Sequence, residues 1–134
     1  MPSLYGTQSA AGSGHEKCPE SLSQAERSKV LEREGTRILA QIPDRDYVVT
    51  LEIRGKKLSS EQFSAHMEQL RRSGRSDITF IIGGSLGLSG EISRRADLKL
   101  SFSDMTFPHQ LMRVILLEQI YRSFKIAKNE PYHK

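Results

Sequence analysis

Leu98-Lys-Leu-Ser-Phe-Ser-Asp-Met-Thr-Phe-Pro-His-Gln-Leu-Met-Arg113 joins a short strand to the longest apolar helix in the sequence. Leu98, Leu100 and Phe102 alternate with Lys99 and Ser101, the period of a half-buried strand. A helix follows at once. Pro108 suits a first helical turn, where its missing N–H costs nothing, and Thr106 can cap the free amides. Between strand and helix lies a small, hydroxyl-rich loop. Open α/β sheets bind ligands at the carboxyl ends of their strands, so this stretch reads as a cofactor loop.

The surrounding chain supplies the rest of such a sheet. Downstream, the helix over residues 110–127 is apolar nearly all round, with Leu111, Val114, Leu117, Ile120, Tyr121 and Phe124 among its large side chains. A helix of that kind is buried on more than one side, and one small sheet cannot cover it, which points to a homodimer interface. Upstream, residues 77–88 are a buried strand running into Gly83, Gly84 and Gly87. Their spacing matches neither a dinucleotide fingerprint nor a phosphate loop, so a plain turn and a ligand loop both remain open. Glu91–Arg95 reads as a short helix.

Earlier still, Ser59 caps a helix with Phe63, Met67 and Leu70 on its core face. His66 lies beside that stripe with no second ligand at metal-binding spacing, and no metal site is expected. Arg71, Arg72 and Arg75 either favour the helix C-terminus or contact RNA. Residues 47–55, β-branched and apolar, form a buried strand that Gly55 releases. Ser21 or Ser23 opens a helix reaching about Gln41, in which Gly35 costs about 1 kcal/mol relative to Ala.

The chain's 134 residues suffice for one domain. Lys and Arg outnumber Asp and Glu by 20 to 16, which permits a polyanionic partner without establishing one. No apolar run is long enough for a membrane span. The single cysteine, Cys18, excludes an internal disulfide and fits a reducing compartment. Residues 1–15 are rich in small and polar residues, without periodicity and without a secretory pattern, so disorder and a cytoplasmic location are expected.

Ser101-Phe-Ser-x-Met-Thr-Phe-Pro-His-Gln110, Met112-Arg113, Leu116-x-Glu-Gln-Ile-Tyr-Arg122 and the closing Pro131-Tyr-His-Lys134 closely resemble the bacterial RlmH family of large-subunit rRNA pseudouridine methyltransferases. The likeness spans about residues 16–134. The family belongs to the SPOUT class, and the resemblance implies an α/β fold: a parallel sheet with helices on both faces and a C-terminal trefoil knot. Family members begin with a strand and a helix ahead of the segment matching Glu16. No such pair is legible here, so the resemblance implies an N-terminally truncated domain over 16–134, with 1–15 a disordered or non-family leader.

The resemblance further implies that S-adenosyl-L-methionine is the cofactor, held by Leu51, Gly83, Phe102, Ser103, Asp104, Met105, Thr106 and Phe107. Its acceptor would be N3 of a pseudouridine in the 23S rRNA of the ribosome, methylated by a homodimer. For the base that takes the N3 proton, His133 with Tyr132 is the first candidate and His109 the second; His109 could instead only orient the loop. Arg113, Arg122 and Lys134 are candidates for holding RNA phosphate, although lone charges are commonly just solvated. Without the resemblance, the tail from Asn129 would read as a frayed end. A rival reading is an RNA-binding remnant without turnover. A Rossmann-type enzyme is disfavoured by the glycine spacing.

Overall fold

The structure, a computed structural model, describes residues 3–6, 23–83 and 87–132. Its elements are β1 (Ser3–Gly6), α1 (Gln24–Gln41), β2 (Tyr47–Lys57), α2 (Ser60–Arg72), β3 (Ile78–Ile82), α3 (Gly90–Arg95), β4 (Leu98–Ser101) and α4 (His109–Ala127). The strands form one parallel sheet in the order β1-β3-β2-β4. Cys18, His133, Lys134 and the middle of the glycine loop lie outside the described residues.

A parallel sheet is covered on both faces, so its central strands carry apolar side chains on both. Val49, Leu51, Phe80, Ile82 and Leu100 meet Phe63 of α2 and Leu116 of α4 on one face. Val48 and Ile81 meet Ile38 and Ile42 from α1 and Ile92 of α3 on the other. Helices therefore lie on both faces. Buried threonines on the second face keep partners: Thr79 Oγ1 donates to Asp46 Oδ2 at 2.8 Å.

Local signals fix the helix starts. The Ser23 side chain accepts from the Glu26 amide while the Glu26 carboxylate accepts from the Ser23 amide, a reciprocal capping box. Ser59 and Gln62 repeat the arrangement for α2.

Three expectations change. Residues 3–6 are a strand: β1 pairs in parallel with β3, Ser3 opposite Thr79 and Gly6 opposite Ile82, and occupies the sheet edge beside β3. β2 continues past Gly55 to Lys57, because a register shift lets both Leu51 and Lys56 pair with Leu100 of β4. Thr106 does not cap α4. Pro108 itself holds the capping position in extended conformation, without a side-chain cap, and its carbonyl accepts the Met112 amide at 3.0 Å.

Candidate active site

The middle of β2, where its register with β4 shifts, and the carboxyl ends of β3 and β4 converge on a cavity of about 320 Å³, at the lower end of the range for small-ligand sites. β2 contributes Leu51, Glu52, Ile53 and Arg54; β3 contributes Ile82 and then Gly83; Gly87 and Leu88 follow from the glycine loop. The run after β4 adds Phe102, Ser103, Met105, Thr106 and Phe107, and α4 adds Met112. Of the expected cofactor residues, Leu51, Gly83, Phe102, Ser103, Met105, Thr106 and Phe107 thus share one cavity.

Asp104 is not among the lining residues. Its carboxylate pairs with Lys57 Nζ at 2.6 Å, and both side chains are largely exposed, so the pair contributes little stability. The loop around it is shaped by its own hydroxyls. Ser101 Oγ donates to the Ser103 carbonyl at 3.1 Å, and Ser103 Oγ accepts the Met105 amide at 3.0 Å. That turn leaves Met105 70% exposed at the cavity.

Two close contacts join the glycine loop to its surroundings. A Cβ on Gly83 would lie 3.0 Å from the Gly87 carbonyl carbon, so glycine at 83 gives the Gly87 backbone a close approach that an added side chain would press apart by a few tenths of an ångström. His109 Nδ1 lies 3.0 Å from the Gly83 carbonyl oxygen. A carbonyl can only accept, so Nδ1 carries the hydrogen. In the neutral ring Nε2 then keeps its lone pair. His109, the first residue of α4, thereby ties the β4–α4 loop to the end of β3.

The chain's end packs elsewhere. Tyr132 is not a cavity residue: its hydroxyl donates to Glu118 Oε2 at 2.8 Å, and its ring packs edge-on against Tyr121 with centroids 5.0 Å apart. The hydrogen bond to Glu118, then burial, raise the Tyr132 phenol above its ordinary range. Arg122 also grips Glu118, with Nη2 2.9 Å from Oε2 and Nε 3.2 Å from Oε1, and its guanidinium lies over the Tyr132 ring at 5.0 Å. Lys125 pairs with Glu130 at 2.7 Å. Arg113 is exposed on α4.

α4 also carries Leu111, Val114, Leu117, Tyr121 and Phe124, spaced by three and four residues, as an exposed apolar stripe; Val114 is 62% and Leu117 50% exposed. Glu52 and Arg54 are cavity residues that the sequence reading did not single out. The one available signal was the charge of Glu52, which interrupts an apolar strand where it leaves the core. His66 hydrogen-bonds to the Tyr47 hydroxyl at 2.9 Å. Among the described residues no group of three or more His, Cys, Asp or Glu is placed to hold a metal ion. No helix among them is long and apolar enough to cross a membrane.

The sequence family described as predicted SPOUT methyltransferase matches residues 8–133. The chain therefore belongs to the SPOUT methyltransferases and is an enzyme of that class. The Enterococcus faecalis ribosomal RNA large subunit methyltransferase H is 58% identical to it over 119 residues, covering 89% of this chain and 75% of that protein. Its counterpart of the same name in Carboxydothermus hydrogenoformans is 59% identical over the same shares. By these matches the chain is a member of the RlmH family that its sequence motifs resemble.

Proposed function

We propose that this chain is a cytoplasmic, homodimeric enzyme that methylates N3 of a pseudouridine in the 23S rRNA of the large ribosomal subunit, using S-adenosyl-L-methionine. The observation that carries this reading is the shared cavity at the middle of β2 and the carboxyl ends of β3 and β4, in a chain 58% identical to a protein named as a large-subunit rRNA methyltransferase. The cavity suits the cofactor chemically. Leu51, Ile82, Leu88 and Leu100 offer an apolar wall for a flat ring, and the glycine backbone offers hydrogen bonds without side chains in the way. Glu52, a half-buried carboxylate with no ion-pair partner among the described residues, suits a ligand that bears positive charge.

When bound, the cofactor would supply an electrophilic methyl group on a sulfonium centre. The chain's own part is alignment, exclusion of water and removal of a proton. Leu51, Gly83 and the run Phe102, Ser103, Met105, Thr106 and Phe107 hold the donor, and the family's trefoil knot would fix these loops against one another. A methyl transfer that cancels two opposite charges would be favoured where water is scarce, and the apolar wall of Leu51, Ile82, Leu88 and Leu100 would keep water out. Positioning donor and acceptor accounts for much of the acceleration.

His109 spends its Nδ1–H on the Gly83 carbonyl and acts as the positioning residue for both loops. His133, from the closing motif that resembles the family's, is the proton acceptor in this reading. Tyr132, whose hydroxyl is engaged by Glu118 and whose phenol is raised, anchors the tail rather than accepting the proton. Arg113 and Lys134 contact RNA phosphate. Arg122 orients Tyr132, and the exposed stripe of α4 is the dimer contact.

Calorimetric titration with S-adenosylmethionine, alongside the mass in solution and methyl transfer to ribosomes lacking the modification, tests this reading. Saturable binding by a dimer and methylation at one pseudouridine are expected. A folded chain that binds RNA but no cofactor would instead be the remnant without turnover.

A further inference from the structure

Glu52 follows Leu51 on β2 and points to the opposite face of the sheet, yet both residues line the cavity. Two hydroxyls orient its carboxylate. Thr50 Oγ1 donates to Oε2 at 2.6 Å, and Ser93 Oγ, from α3, lies 3.1 Å from each carboxylate oxygen. Among the described residues no Lys, Arg or His nitrogen lies within 4.0 Å of it. A half-buried carboxylate held by neutral donors at a cavity wall is a receptor for a cationic group that can donate hydrogen bonds.

S-adenosylmethionine offers two positive groups, the sulfonium and the α-ammonium of its methionine end. The charge on sulfur disappears as the methyl group leaves, so a carboxylate paired with sulfur would hold the reactant more tightly than the transition state. The ammonium keeps its charge throughout and has three N–H donors, which the sulfonium lacks. We propose that Glu52, steadied by Thr50 and Ser93, receives the α-ammonium group of the cofactor. This rests on the reading of the cavity as the S-adenosylmethionine site. Arg54, two residues along the same strand and lining the same cavity, is the complement for the α-carboxylate. The methionine end then lies against β2 and α3, leaving the adenosine to Gly83 and the β4–α4 loop.

Three ligands separate the groups. S-adenosylmethionine carries both positive charges, S-adenosylhomocysteine keeps the α-ammonium but has a neutral sulfur, and 5′-methylthioadenosine has neither. By calorimetry, Glu52→Gln should weaken the first two by the same factor, about tenfold, and leave methylthioadenosine at its wild-type affinity. Ser93→Ala, which removes one of the two supports and keeps the carboxylate, should shift the same two ligands by a smaller factor; it serves if Glu52→Gln does not fold. Weakening of S-adenosylmethionine alone would place the sulfonium at Glu52 and overturn the assignment. Equal weakening of all three, or of none, would also overturn it. If the wild-type chain binds none of the three, the cofactor reading itself fails, and this inference with it.

Discussion

Replacing Gly35 by alanine sets helix propensity against packing, and the structure says which should win. Gly35 lies inside α1, where alanine is favoured by about 1 kcal/mol. On that ground alone, Gly35→Ala would stabilise the protein. Yet Gly35 is buried, and its Cβ would come within 2.3 Å of Ser89 Oγ and 3.1 Å of Ser89 Cβ. Ser89 is itself buried and is the N-cap of α3, its hydroxyl accepting the Ile92 amide at 3.2 Å. Moving that hydroxyl aside forfeits the cap, about 1 kcal/mol, and pushing α1 from α3 adds an overpacking cost of about 1–3 kcal/mol. The expected net effect is a loss of about 1–3 kcal/mol, read as a lower urea midpoint with an unchanged slope. Ser89→Gly removes the obstructing atoms and retains much of the capping preference, so the double variant should recover most of the loss. Stabilisation by Gly35→Ala alone, or additivity of the two changes, would refute the packing argument.

Several other perturbations have defined outcomes. His109→Ala removes the hydrogen bond to the Gly83 carbonyl and should weaken cofactor binding by about three- to tenfold in calorimetry; His109→Asn, whose amide can donate from a similar position, should retain most of the affinity. Equal losses in the two would mean that His109 serves by bulk rather than by its N–H. Burial, and then the charge of Lys56, hold the His66 imidazole below its ordinary range. The folded state therefore resists that proton, so the contribution is complete above about pH 6.5 and is lost as pH falls through the lower folded value. His66→Gln should flatten stability against pH in that acidic window, and an unaltered profile would show that His66 is not the titrating group. Leu117→Glu places a charge in the middle of the exposed α4 stripe; sedimentation should show monomers with little change in unfolding temperature, whereas a persisting dimer would put the interface elsewhere.

Much of this molecule was legible locally. Ser23 with Glu26 and Ser59 with Gln62 announce two helices because capping is decided within three residues. The strands β2, β3 and β4 announce themselves by composition, and a parallel sheet directs attention to their carboxyl ends. What escaped depends on partners distant in sequence. Ser3–Gly6 is too short to show a period, and only pairing with β3 makes it a strand. β2 runs beyond Gly55 because Lys56 and Lys57 find β4. Glu52 resembles any charged residue in a strand that is leaving the core, since Ser93, its partner, is 41 positions away. Tyr132 reads as tail until Glu118, Tyr121 and Arg122 are beside it.

The placement of β1 bears on the order in which the chain can be assembled. Ser3 pairs with Thr79, so β1 lacks this partner until β3, which is made later, is in place, and β3 in turn is held on its other side by β2. Contacts of such long sequence separation form late and slow the approach to the native state. A nascent chain halted before Ile82 should therefore carry β1 as loose polypeptide. In the finished protein this four-residue strand, paired among the described residues with β3 alone, should open before the strands inside the sheet. Amides bridging β1 and β3 would then exchange with solvent well before those bridging β3 and β2, giving one strand two very different kinetic edges.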